Sequence, residues 1–102
     1  MINKNPRGGL YAVNTYFDNQ VTSLGFENTN GRASVGVMQP GRYEFSTQDD
    51  ERMVVLSGAL VVQRVQDPEP LLYSDGEEFR VPSGETFTVE VTETTAYLCE
   101  YT

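Results

Sequence analysis

At 102 residues the chain is long enough for one domain only, and its net charge of −8 sets what that domain does not touch. Seven Lys and Arg against fifteen Asp and Glu exclude the clustered positive charge that binding a nucleic acid or an anionic membrane surface requires. A small anion stays within reach, because surface charge is screened over roughly 8 Å at physiological salt and one arginine can dominate a cleft.

The first residues, 1–13, hold Pro6, Gly8 and Gly9 among polar neighbours and predict a loose N-terminal arm. They lack the apolar run of a signal peptide, and no later stretch has the length of a membrane span, so a cytoplasmic protein is expected. Residues 14–102 then read as one all-β domain. "VTSLGFE", "GRASVGVM", "GRYEFST", "RMVVLS", "ALVVQRV", "EEFRV", "TFTVEV" and "TTAYLCEY" are short runs rich in Val, Thr, Tyr and Phe. Gly, Pro, Asn and Asp separate them at intervals near ten residues, the mark of a sandwich or small barrel.

Alternate residues of a strand point to opposite sides, which assigns faces. Tyr43, Phe45 and Thr47 share one face of their strand, opposite Arg42, Glu44 and Ser46; Phe87, Val89 and Val91 share another, opposite Thr86, Thr88 and Glu90. The apolar faces are expected to line the interior. Pro40-Gly41 and Gly58 mark turns between strands. Cys99 is the single cysteine, so no intrachain disulfide forms, and with no histidine in the chain to activate it, it reads as a small buried hydrophobe.

The stretch "GEEFRVPSGETF" carries glycine, five residues, then Pro82-Ser83-Gly84, with Phe87 following. That pattern resembles the second motif of the cupin family, with Phe87 where a metal-binding histidine usually stands. Upstream, Glu51 and Gly58 have the spacing of the first cupin motif, and Thr47 and Phe45 occupy the places of its two histidines. Three of four usual ligands are absent, so the expected scaffold is a metal-free, jelly-roll-like cupin barrel.

A narrower likeness covers Asn14 to Tyr101. "NTYF", "GRASVGVM", "YEFST", "MVVLSGAL", "FRVPSGETF" and "AYLCEY" are together similar to the small single-domain pyrimidine/purine nucleoside phosphorylase family. The resemblance implies a metal-free cupin barrel, a homodimer, and no cofactor beyond inorganic phosphate as co-substrate. It also implies the reaction: a purine or pyrimidine nucleoside and phosphate give free base and ribose 1-phosphate.

Phosphorolysis of an N-glycosidic bond has oxocarbenium character at its transition state, as glycoside hydrolysis does. Phosphate is already an anion at neutral pH, so a site without histidine suffices if it cradles phosphate, grips the ribose and stabilises the departing base. Arginine suits the cradle because its planar fork donates two parallel hydrogen bonds. Of Arg32, Arg42, Arg52, Arg64 and Arg80, Arg32 is preferred, since it begins a strand after Gly31 and shares a face with Ser34. The plain alternative is a strand-end arginine paired with a surface acid. Ser46 and Thr47 are candidate hydroxyl donors, with Thr47 ahead on parity unless it caps the turn. Glu51 is the candidate for the ribose hydroxyls and for charge developing at C1′.

Breadth across bases argues for stacking, since every base has a π-face. Tyr43, Phe45, Phe87 and Tyr97 are candidate platforms, Tyr43 first for its hydroxyl; each is otherwise core filling. The proton for the leaving base stays open between water, a tyrosine and a glutamate of raised pKa. A second reading is a non-catalytic cupin module that binds a nucleotide or sugar phosphate.

Overall fold

The period of two is realised as antiparallel strands throughout residues 9–102, the part of the chain that the computed structural model describes. In chain order these are β1 (Gly9–Tyr16), β2 (Val21–Asn28), β3 (Gly31–Met38), β4 (Gly41–Ser46), β5 (Glu51–Ser57), β6 (Ala59–Gln63), β7 (Leu71–Ser74), β8 (Glu78–Val81), β9 (Thr86–Val91) and β10 (Thr95–Tyr101). They form two sheets: six strands in the order β1-β2-β3-β10-β5-β8, and four in the order β4-β9-β6-β7. From β3 onward the chain switches sheet at almost every connection, so the two sheets are sewn together face to face rather than closed into one hydrogen-bonded ring.

The interior faces are those that alternation predicts. Val21, Met38, Met53, Val55, Phe79, Val81, Tyr97 and Cys99 from the larger sheet meet Tyr43, Leu60, Val62, Phe87, Val89 and Val91 from the smaller. Full burial of one such aliphatic side chain is worth about 1.5–3 kcal/mol, so this one cluster dominates the stability of the domain.

Two strands were not predicted. Residues 1–8 of the expected arm lie outside the described residues, but 9–13 do not hang free: they pair with β2, from Gly9↔Glu27 to Tyr16↔Val21, with a bulge between Leu10 and Ala12. The glycines near the start mask a run, "LYAVNTY", that becomes a strand because β2 offers it an edge. The other is β7, four residues paired with β6 at the border of the small sheet. Pro68 and Pro70 precede it and do not interrupt its ladder.

Two glycines fit the sheets together. Gly58 turns β5 into β6 at φ 116°, a conformation that L side chains avoid, and its bare Cα faces the fully buried Thr95. Gly36 lies opposite Tyr97 in the β3–β10 pair, and a Cβ there would come within 2.7 Å of the Tyr97 hydroxyl and 2.5 Å of the Thr22 carbonyl oxygen.

Candidate active site

Between the sheets, where β4 and β9 face β3, β10 and β5, lies a cavity of about 320 Å³. Its two walls differ in chemistry because each comes from one sheet. The small sheet presents Phe45 from β4 and Phe87 from β9, with ring centroids 5.6 Å apart and planes 29° from parallel, and Glu44 and Ser46 of β4 border the cavity beside them. The large sheet presents Ser23, Ser34, Glu51, Tyr97, Cys99 and Tyr101, with Met38 and Met53 behind them.

The polar wall is internally bonded. The Ser34 and Tyr101 hydroxyls share a hydrogen bond of 2.8 Å, and the Cys99 thiol donates to Glu51 Oε1 at 3.4 Å. None of the ion pairs among the described residues includes Glu51. Burial therefore pushes its carboxyl above the ordinary glutamate range; the Cys99 hydrogen bond pulls it back, and the nearby charge of Asp49 adds to the rise. Burial likewise lifts the Tyr97 phenol to about 12, and moves the Cys99 thiol and the Tyr101 phenol upward. At neutral pH this wall offers protonated hydroxyl and thiol groups, so Cys99, 3% exposed, is a packed hydrogen-bond donor and no nucleophile.

Of the residues singled out in the sequence, Glu51, Phe45, Ser46, Phe87 and Tyr97 meet at this cavity. Three others stand elsewhere. Thr47 is withdrawn into the Pro82-Ser83-Gly84 turn: its hydroxyl donates to the Pro82 carbonyl at 2.7 Å and accepts the Glu85 N–H at 3.0 Å. Ser46 reaches the cavity in its place because β4 ends there, and it bonds Thr86 across the ladder at 3.0 Å. Tyr43 is buried on the expected face, but its hydroxyl donates to the Gln39 carbonyl at 2.5 Å and its ring does not border the cavity.

Arg32 lies at the rim. Its guanidinium sits 5.6 Å from the centre of the Tyr101 ring and pairs with Asp49 at 3.0 Å. It borders a second depression of about 310 Å³, which shares Tyr16, Ser23, Ser34 and Tyr101 with the first, so the two adjoin along the interior of the large sheet. The other arginines turn away: Arg42 toward Glu90 in solvent, Arg52 to Glu78 and Glu100, Arg64 to Asp67, while Arg80 lies with the latter two beside Val81.

Sequence reasoning missed Tyr16, Phe17, Ser23, Ser34, Glu44, Cys99 and Tyr101 as lining residues. Parity held the signal for some of them. Ser34 shares a face with Arg32, and Cys99 and Tyr101 share one with Tyr97. Phe17 stands in a turn, where parity says nothing.

Two apposed antiparallel sheets around an internal cleft, without a helix among the described residues, define a cupin-like, all-β, single-domain protein. The Drosophila melanogaster CENP-C cupin domain superposes with a TM-score of 0.67 at 8% identity, over 88% of this chain and 75% of that one, a likeness of fold alone. The family model described as pyrimidine/purine nucleoside phosphorylase matches residues 11–101, and the chain belongs to that family. A Tolumonas auensis pyrimidine/purine nucleoside phosphorylase is 51% identical over 92 residues, 90% of this chain and 99% of that protein. The crystal structure of a Vibrio parahaemolyticus protein of unknown function superposes with a TM-score of 0.87 at 48% identity, covering 92% of this chain and 99% of that one. That family membership supports nucleoside phosphorylase activity in general.

Proposed function

We propose that the chain cleaves purine and pyrimidine nucleosides by phosphorolysis at the cavity between the sheets, without a metal or organic cofactor. The observation that carries this reading is the division of the cavity into an aromatic wall and a protonated polar wall holding Glu51. Its volume falls at the small end of the about 300–1,000 Å³ usual for small-molecule sites. A base lies against Phe45 and Phe87, and the ribose hydroxyls meet Glu51 and the hydroxyls of Ser34 and Tyr101. Phosphate enters from the rim, where Arg32 exchanges Asp49 for it. A phosphate oxygen then bonds to C1′ while the C1′–N bond breaks, its electron pair leaving with the base. Tyr97 and Tyr101 are too weakly acidic to protonate that base, which leaves Glu51 or water.

Purified protein should release base from uridine and from inosine only when phosphate is present, with the same rate in chelator. No release above a phosphate-free control overturns the assignment. Glu51→Ala and Arg32→Ala variants that stay folded should each lose most turnover; full activity in both would remove them from the site.

One observation favours the non-catalytic alternative: among the described residues no Arg lines the cavity itself, and Arg32 is already engaged by Asp49. Saturable calorimetric binding of a nucleotide or sugar phosphate without product would establish that reading instead.

A homodimer belongs to the same proposal. Val13, Leu24, Val35, Leu98 and Val54 stand in register across five neighbouring strands, on the side of the large sheet opposite the cavity. Val37 and Leu56, both exposed, extend the patch, and a contiguous apolar face of this kind marks an interaction surface.

A further inference from the structure

The turn between β1 and β2 is strained in an unusual way. Phe17, Asp18 and Asn19 have φ of 53°, 55° and 67°, three consecutive left-handed residues without a glycine. Asp and Asn tolerate that region because their short side chains bond locally; a phenylalanine there is a steric outlier. Such strain persists only where surrounding structure enforces it, and it concentrates at functional sites.

The enforcement is visible. The Gln20 N–H donates to the Phe17 carbonyl at 3.1 Å, the Gln39 N–H to the Gln20 carbonyl at 2.8 Å, and the Tyr43 hydroxyl to the Gln39 carbonyl at 2.5 Å. This relay pins the turn of the large sheet onto the first residues of the small one. Its result is to carry the Phe17 ring across the gap, 5.0 Å from Tyr43 and 5.5 Å from Phe45, edge to face with the latter. An aromatic recruited only to fill the core would be buried, as Phe79 is at 4% exposure. Phe17 keeps 42% of its surface open while bordering the cavity. It thus has one side packed and one side free at the mouth, beside the wall of Phe45 and Phe87.

We propose that Phe17 is a nucleobase clamp, whose free face covers a base resting on Phe45 and Phe87; this rests on the reading of the cavity as a nucleoside site. A ring that meets a π-face reads no hydrogen-bonding edge, so the clamp serves purines and pyrimidines alike. Mounted on the turn between β1 and β2, outside the ladders of either sheet, its ring makes an edge-to-face contact with Phe45 that is the one a base would replace. Its ring contacts are with Tyr43 and Phe45 on the small sheet, whereas Arg32 lies over the Tyr101 ring of the large one, so it acts on the nucleoside and not on phosphate.

The test compares wild type with Phe17→Ala, Phe17→Leu and Phe17→Tyr, using uridine and inosine at saturating phosphate. Loss of one base–aromatic stacking contact predicts a rise in KM for both nucleosides on the order of tenfold in the Ala and Leu variants. Phe17→Tyr should restore wild-type KM, and KM for phosphate should stay within about twofold throughout. Leucine keeps the apolar bulk that holds the turn, so a Leu variant indistinguishable from wild type would show that Phe17 is only a plug and overturn the proposal. If wild type has no phosphate-dependent activity, the phosphorylase reading falls separately, and the clamp is read by calorimetry with free uracil and adenine. Weaker binding in Phe17→Leu upholds it; equal binding in both proteins, or none to wild type, overturns it.

Discussion

Glu51 illustrates how one residue changes meaning with its surroundings. In sequence it sits in "QDDER", a run that reads as solvated; in the fold it is the first residue of β5, turned inward beside Met53, with a thiol for its hydrogen-bonding partner. Because its pKa is raised in the native state, the fold favours the protonated form. The stability this group contributes is complete below its ordinary value near 4.5 and is lost as pH rises through the raised native value. Asp67 and Glu78, both lowered by their arginine partners, work in the opposite sense, so the contrast must be drawn against a single variant. Glu51→Gln, which cannot ionise, should gain stability relative to wild type as pH is raised across that window. Urea denaturation of the two proteins over a pH series checks this; a wild type that gains on the variant instead would mean Glu51 is ion-paired. Thr47 makes the complementary point. Its inward parity was legible, yet the carbonyl of Pro82 and the N–H of Glu85 claim its hydroxyl, and both come from a turn 35 or more residues away.

At the scale of elements, pairing decided what local pattern did not. β1 and β7 carry ordinary strand residues, but glycines before one and prolines before the other hide them, and only an edge offered by β2 or β6 makes them strands. The β3–β10 pair shows the converse, a sequence feature explained by its partner. Gly36 has no turn to make; it is there because Tyr97 packs across it. Gly36→Ala should therefore destabilise the domain by about 2–3 kcal/mol, the range for overpacking a filled interior. It should also raise KM for nucleoside, because the displaced phenol moves into the cavity. Thermal unfolding together with steady-state kinetics measures both, and an alanine variant as stable as wild type would refute the packing assigned to Gly36.

At the scale of the whole molecule, the two sheets are unequal, and the larger one presents two surfaces of different chemistry. Its inner face supplies the polar wall of the site. Its outer face carries the five-strand apolar row, about 19 Å wide at the usual strand spacing. A two-fold related copy of such a patch is its own complement, which suits an isologous dimer despite the net charge of −8 that each chain brings. Leu98→Asp places a carboxylate at the second-to-last position of that row, across from Val35 and Val54. The variant should sediment as a monomer at micromolar concentration while wild type sediments as a dimer; a monomeric wild type would remove the interface. Because the row faces away from the cavity, the variant should keep its fold.

Sequence alone determined the all-β class, the eight strands from "VTSLGFE" to "TTAYLCEY", and the inner faces of the two strands that carry Phe45 and Phe87. It could do so because strand periodicity is local: each side chain's face follows from its neighbours two residues away. Tertiary structure alone decided the rest. Which hydroxyl reaches the cavity, which acid engages Arg32, where Phe17 is carried, and that the strands divide into two sheets all depend on contacts between residues distant in the chain. Hydrogen-bond partners and burial at those contacts have no period that a sequence could display.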